Sequence, residues 1–170
     1  MKNQKKEKNN FKKPNLIIQP HLKVINVVDG DGIIVKNILT NEEFEIRLLG
    51  IDAPEIKKCP KLFQDEKETH TPGALLMQLG YISFHFLLSK IPHHANITIF
   101  QEPKNLIDIY GRVLAYVYLD DGTCINELMI KNGFAKPYNK SFCSELANYQ
   151  KLHNRAKKEK KGLFKMVRKF

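Results

Sequence analysis

Residues 22–48 restrict the fold more than any other stretch of this chain. Apolar residues partly alternate from Leu22 to Val28, as in a strand with one buried face. Gly30 and Gly32 turn the chain into the β-branched run Ile33-Ile34-Val35. Thr40-Asn41-Glu42 turns it again, into the alternating Phe44-Glu45-Ile46-Arg47-Leu48. Three strands joined by turns this short form a meander.

The remaining elements follow from the same signals. Residues 56–71 show no periodicity and hold Pro60, with Pro72 just beyond, and are read as a loop. Gly73–Lys90 reads as a helix ended before Pro92. Its apolar residues exceed a single stripe, which predicts deep burial, with a partner-binding face on 73–90 as the alternative. Gln78, Ser83 and His85 interrupt it. A membrane span needs about 20 apolar residues, so no stable insertion is expected. Asn96–Phe100 is a fourth strand and Arg112–Leu119 a fifth, closed by the turn Asp120-Asp121-Gly122. Ile125–Asn132 is a short helix with Gly133 as its C-cap, and Ser141 or Ser144 is a candidate cap for a last helix. Five strands with a helix between the third and fourth predict a mainly β protein with packed helices, an α+β chain built on a five-stranded OB-fold barrel.

Charge is distributed unevenly. Residues 1–23 hold seven lysines and one acid, and residues 149–170 hold nine basic residues and one acid. The net charge of +10 therefore resides in the ends, and the middle of the chain is mildly acidic. Basic ends serve either solubility or attraction to a polyanion, nucleic acid before membrane. The expected organisation is a disordered basic arm over 1–21, a folded domain over 22–164 and a basic tail over 165–170. Cys59, Cys124 and Cys143 are odd in number and widely spaced, which argues against a disulfide framework or zinc ribbon and fits a reducing compartment. Cys124 reads as a small core residue on a strand, and His93-His94 as an exposed loop pair. The short run Leu16-Ile17-Ile18 is no signal core, so the chain as written reads as cytoplasmic, or as secreted or periplasmic if a signal peptide has been removed. A monomer is expected.

The chemistry-bearing residues gather at strand ends. Asp31 follows the first strand in Asp29-Gly30-Asp31-Gly32, and Asp52 follows the third in Gly50-Ile51-Asp52-Ala53-Pro54-Glu55. Two carboxylates brought together repel unless a cation or proton lies between them. Their surroundings are backbone carbonyls without Cys or His, an oxygen set suited to Ca²⁺ or Mg²⁺ rather than zinc. An EF-hand is excluded, because Ile33, Ile34 and Thr40 stand where it needs an acid or amide, a glycine and a glutamate. Arg47 lies in a largely apolar strand and must meet either an acid, Glu55 or Glu43, or a ligand anion. Arg112, after Gly111 at the mouth of a strand, faces the same choice. A guanidinium fork suits phosphate oxygens in both cases.

Taken in order, DGDG, RLLGIDAPE, DIYGRVLAYVYLDDG and NELMIKNGFAK, with the ending AKKEKKGLF, resemble the staphylococcal nuclease (thermonuclease) family over about residues 22–164. The resemblance implies a five-stranded OB barrel and Ca²⁺-dependent hydrolysis of DNA and RNA to 3′-phosphates. It implies that Asp31, Asp52 and the carbonyl of Ala53 bind calcium. Glu55 would activate or orient the water, Arg47 and Arg112 would grip the scissile phosphate, Tyr110 would contact a neighbouring phosphate, and Tyr138 would stack on a base. Three positions depart from the family pattern: Gly32 replaces a usual Thr, Ile109 replaces a polar residue, and the segment after Glu55 is longer and holds Cys59. Pro137 disturbs the alignment at Tyr138. The competing reading is a non-catalytic OB-type nucleic-acid-binding module; such modules usually show a broken catalytic set, whereas Asp31, Arg47, Asp52, Glu55 and Arg112 are all present.

Overall fold

The barrel begins at Ile17 rather than Leu22. In the computed structural model, which describes residues 15–170, strand β1 spans Ile17–Val27. Its first residues, assigned above to the arm, pair with β5 (Asn96–Gln101) through Ile17↔Gln101, Ile18↔Phe100 and Gln19↔Ile99. Pro20 has no N–H to give the ladder and falls in the register break between Gln19 and Leu22, where His21 takes φ +63°. That irregularity hides the strand's continuity from a reading based on alternation. The rest of the expected arm, residues 1–14, lies outside the described residues.

β2 (Gly32–Asn37) and β3 (Glu43–Leu48) complete the meander, in register from Gly32↔Arg47 to Lys36↔Glu43. β6 (Val113–Leu119) runs parallel to β3 and antiparallel to β5, and the order β1-β2-β3-β6-β5 closes into the expected five-stranded barrel. A further two-stranded ribbon, β4 (Ile51–Asp52) with β7 (Lys136–Pro137), stands beside it. Inward residues such as Val24, Ile33, Ile46, Leu48 and Val117 are nearly or completely buried, each burial stabilising the fold by roughly 1.5–3 kcal/mol. Helix α3 (Ile125–Lys131) is tied to the barrel by Asn126. Its Oδ1 accepts the Val117 N–H at 2.9 Å, and its Nδ2 donates to Leu49 O at 3.0 Å and Ala115 O at 3.1 Å. Gly133 follows α3 at φ +76°, as a C-cap glycine should.

The expected loop over 56–71 is largely a helix, α1 (Pro60–Thr69). Proline opens it at a position where its missing N–H costs nothing. The inward positions are Leu62, Asp65 and Thr69, so two of the three residues that would mark a buried stripe are polar. Periodicity of hydrophobicity is therefore absent. Helix α2 (Gly73–Lys90) has the expected bounds, but only one face is buried, through Leu76, Leu79, Gly80, Ser83 and Leu87; Tyr81 and Leu88 are about half exposed. Helix α4 (Leu146–Lys158) is not capped by Ser141 or Ser144: Glu145 holds the cap position, and Ser144 gives its hydroxyl to Glu102 at 2.6 Å. Two apolar residues of the basic tail over 165–170 are packed into the fold. Val167 and Phe170 join Leu62, Leu79, Leu163 and Phe164 in a second apolar cluster beneath α1 and α2, with the Phe164 and Phe170 rings 5.0 Å apart.

The three cysteines are unpaired, and Cys124 is half-buried at the start of α3 rather than in a strand core. His93 and His94 are exposed. Among the described residues no helix is long and apolar enough to cross a membrane.

Candidate active site

β3 alternates across the barrel wall, so Ile46 and Leu48 point inward while Glu45 and Arg47 point out. Arg47 is nonetheless only 13% exposed, because the 50–55 segment folds over it. Its partners are neither Glu55 nor Glu43. The guanidinium bridges the two motif aspartates, with Nη1 facing Asp31 Oδ1 and Nη2 3.0 Å from Asp52 Oδ1. Asp31 is held by the chain around it: its N–H donates to Asp29 Oδ1 at 3.0 Å, and its own Oδ2 accepts the Ala53 N–H at 2.6 Å. That last bond ties the turn after β1 to the residue that follows β4, which is how carboxylates far apart in sequence meet.

Helix α1 brings a second layer of charge. Lys61 Nζ lies 3.4 Å from Asp52, 3.2 Å from Glu55 and 2.9 Å from Asp65, and it donates to the Ala53 carbonyl at 3.4 Å. Lys136, paired with Asp52 in the β4–β7 ribbon, places its ammonium 3.8 Å from both Asp52 and Asp65 and donates to Phe170 O at 2.8 Å. Lys61, Asp65 and Lys136 were not among the residues singled out from sequence. The pair Lys61 and Asp65 carries the i, i+4 spacing of a helical ion pair, a signal lost when this segment is read as a loop.

Arg112 precedes Val113, which pairs in parallel with Ile46, so it aligns with Glu45 on the same outer face as Arg47. Its Nε donates to Asp108 at 2.8 Å, its Nη1 is 3.7 Å from Glu45, and its guanidinium lies 5.5 Å from the Tyr110 ring centre. Asp108 in turn accepts the N–H groups of Tyr110 and Arg112, both at 2.9 Å, shaping the turn that presents them. Tyr110 and Ile109 are 77% and 91% exposed, free to meet a ligand. Tyr138 is half-buried beside the ribbon, its N–H bonded to Gly50 O at 2.9 Å.

The electrostatics favour a cation. Burial, with Asp29 and Asp52 nearby, pushes Asp31 up to about 7, only partly offset by Arg47 and the Ala53 N–H. Burial also opposes the charge of Lys61, but Asp52, Glu55 and Asp65 outweigh it and keep the ammonium protonated. Among the described residues no three acidic, His or Cys side chains form a ready metal cage. The set on offer is two carboxylates and a carbonyl, all oxygen, with an ammonium already drawn to Asp52 and Ala53 as a stand-in cation. Such a donor set fits a hard divalent ion.

Comparison with known proteins gives a consistent picture. The family model described as staphylococcal nuclease homologue matches residues 45–166. An uncharacterized protein of Methanocaldococcus jannaschii is 32% identical over 149 residues, covering 84% of this chain and 70% of its own length. An uncharacterized endonuclease of Escherichia coli is 30% identical over 154 residues, covering 91% of this chain and 83% of its own length. A thermonuclease of Staphylococcus intermedius is 30% identical over 114 residues, covering 66% of this chain and 56% of its own length.

Proposed function

The chain belongs to the staphylococcal nuclease family, and from that premise we propose that this phosphodiester hydrolase is a calcium-dependent nuclease acting on DNA and RNA alike and leaving 3′-phosphates. The observation that carries the reading is the Arg47 bridge between Asp31 and Asp52, with Glu55 alongside and Arg112 on the same outer face of the barrel.

A phosphodiester is anionic and resists hydroxide, so the site must neutralise it and aim a water at phosphorus. Asp31, Asp52 and the Ala53 carbonyl are the residues that would hold Ca²⁺, which when bound supplies positive charge and polarises a phosphoryl oxygen. Arg47 and Arg112 grip the phosphate and stabilise the charge that grows on its oxygens in the five-coordinate transition state. Glu55 takes or directs the water's proton. The new P–O bond forms as the P–O5′ bond breaks, the 5′ oxygen takes a proton from solvent while Glu55 returns the one it accepted, and the phosphate stays on the 3′ side. Tyr110 contacts a neighbouring phosphate and Tyr138 a base. No group in this scheme touches the 2′ position, which is why both sugars are expected as substrates.

The test is cleavage of a fluorescent single-stranded DNA with Ca²⁺ and with EGTA, for the wild type and Glu55→Ala, with the product ends identified. Calcium-dependent cutting that leaves 3′-phosphates and is lost in the variant supports the reading. Tight, salt-sensitive binding without cleavage by either protein would instead make this an OB-type nucleic-acid-binding module.

A further inference from the structure

The oxygens assigned above to calcium already carry donors. Asp31 Oδ2 accepts the Ala53 N–H, and Asp31 Oδ1 faces Arg47. Asp52 Oδ1 lies between Arg47 Nη2 and Lys61 Nζ, and the Ala53 carbonyl accepts from Lys61. The single Lys61 ammonium therefore touches two of the three calcium ligands, the carboxylate of Glu55, and Asp65 on its own helix, all within 3.4 Å. A lysine ammonium is a compact point charge with three rotatable donors, and oxygens converging on it in this way form a cation site filled by a side chain. We propose that Lys61 is a tethered competitor for the metal, so that Ca²⁺ takes Asp52 and Ala53 only when the lysine leaves them. This inference rests on the calcium reading of the site.

The fold provides for such a movement. Lys61 stands in the first turn of α1 with its side chain 29% exposed, so the ammonium can rotate toward solvent without disturbing the helix. Asp65, one turn further on, lies on the same side and keeps a partner for the ammonium after Asp52, Ala53 and Glu55 are released. Departure of Lys61 also frees Glu55 Oε1, the acceptor that a water proton needs. Metal entry and release of the base then become one event. Lys136 offers the contrast: it is also cationic and near Asp52, but at 3.8 Å, and its hydrogen bond goes to Phe170 O.

Calorimetric titration with CaCl₂, without nucleic acid, separates the possibilities for the wild type, Lys61→Met, Lys61→Gln, Lys61→Arg and Lys136→Met. Melting in EGTA identifies the folded variants, and the calcium-induced rise in Tm gives a second readout. Both neutral Lys61 variants should bind calcium at least about tenfold more tightly than the wild type, as expected for removing a unit charge a few ångströms from the ion. Lys61→Arg should gain nothing, and Lys136→Met less than about threefold, because its ammonium is hydrogen-bonded to Phe170 O and not to the Ala53 carbonyl, and so fills no calcium position. Equal affinity for the wild type and the neutral Lys61 variants would overturn the proposal. So would an equal gain from Lys136→Met, which would reduce the effect to general electrostatics. Absence of calcium binding by every protein would overturn the calcium reading itself.

Discussion

Helix α2 crosses the Pro54-Glu55 segment at Gly80, and a single methyl there tests whether the backbone under Glu55 sets the rate. A Cβ on Gly80 would stand 2.4 Å from the Glu55 carbonyl oxygen, 2.7 Å from its carbon and 2.7 Å from the Pro54 oxygen. These are backbone atoms and cannot rotate aside, so helix and segment must part by about 1 Å to reach ordinary contact. Overpacking of this kind costs about 1–3 kcal/mol, and alanine returns about 1 kcal/mol of helix propensity over glycine. The net loss for Gly80→Ala is therefore about 0–2 kcal/mol, or a fall in Tm of up to about 8 °C for a domain of this size. Catalysis should suffer more, because a displacement of about 1 Å at a catalytic group can cost about 10²-fold. Differential scanning calorimetry and kcat/KM on single-stranded DNA at saturating Ca²⁺ measure the two effects. Gly73→Ala is the control, since its Cβ would meet only the flexible end of Glu66, at 3.4 Å, and both quantities should stay near wild type. A Gly80→Ala enzyme within threefold of wild-type kcat/KM would refute the idea that this contact positions Glu55.

Further outcomes follow from the same geometry. Arg47→Lys keeps a charge but cannot bridge Asp31 and Asp52, and kcat/KM should fall about 10²–10³-fold; a loss below tenfold would count against the bidentate role. Burial works to raise Glu102, but hydrogen bonds from Ser144, Tyr116 and Asn105 outweigh it and hold the carboxyl below its ordinary 4.5. A depressed native value means the contribution of Glu102 is complete above that pH and is lost as pH falls through the lower value. Glu102→Gln should thus flatten the acid limb of the stability curve while costing about 1–3 kcal/mol at pH 7, by denaturant melts across pH. An unchanged acid limb would reject the linkage. Phe170→Ala should destabilise by about 3 kcal/mol through the second apolar cluster, measured by urea melts, and a change under 1 kcal/mol would show that this packing is not maintained in solution. Deleting residues 1–14 should lower the salt dependence of DNA binding; an unchanged slope in a salt titration would reject a nucleic-acid role for them.

The limits of sequence reading here have identifiable physical causes. β2, β3 and β6 were legible because β-branched runs or alternation ended in Gly, Asn or Asp turns. The start of β1 is hidden in the sequence because Pro20 sits in a register break that interrupts the pattern without interrupting the strand. Phe170 reads as part of a basic tail because flanking basic residues mask an apolar contact made across the fold. At the site, Asp31, Arg47, Asp52 and Glu55 stand out because their turns are motif-dense, yet their partners could not be assigned. Arg47 had two nearby glutamates to choose from and instead bridges two aspartates, a choice made by the Asp31–Ala53 hydrogen bond joining distant turns. A helix whose inward face carries Asp65 and Thr69, with Lys61 turned toward carboxylates, shows no hydrophobic period because that face was shaped to meet charge. Local pattern and global fold disagree most at functional sites, and the segment that sequence reads as featureless is the one that brings the Lys61 ammonium to Asp52, Glu55 and Asp65.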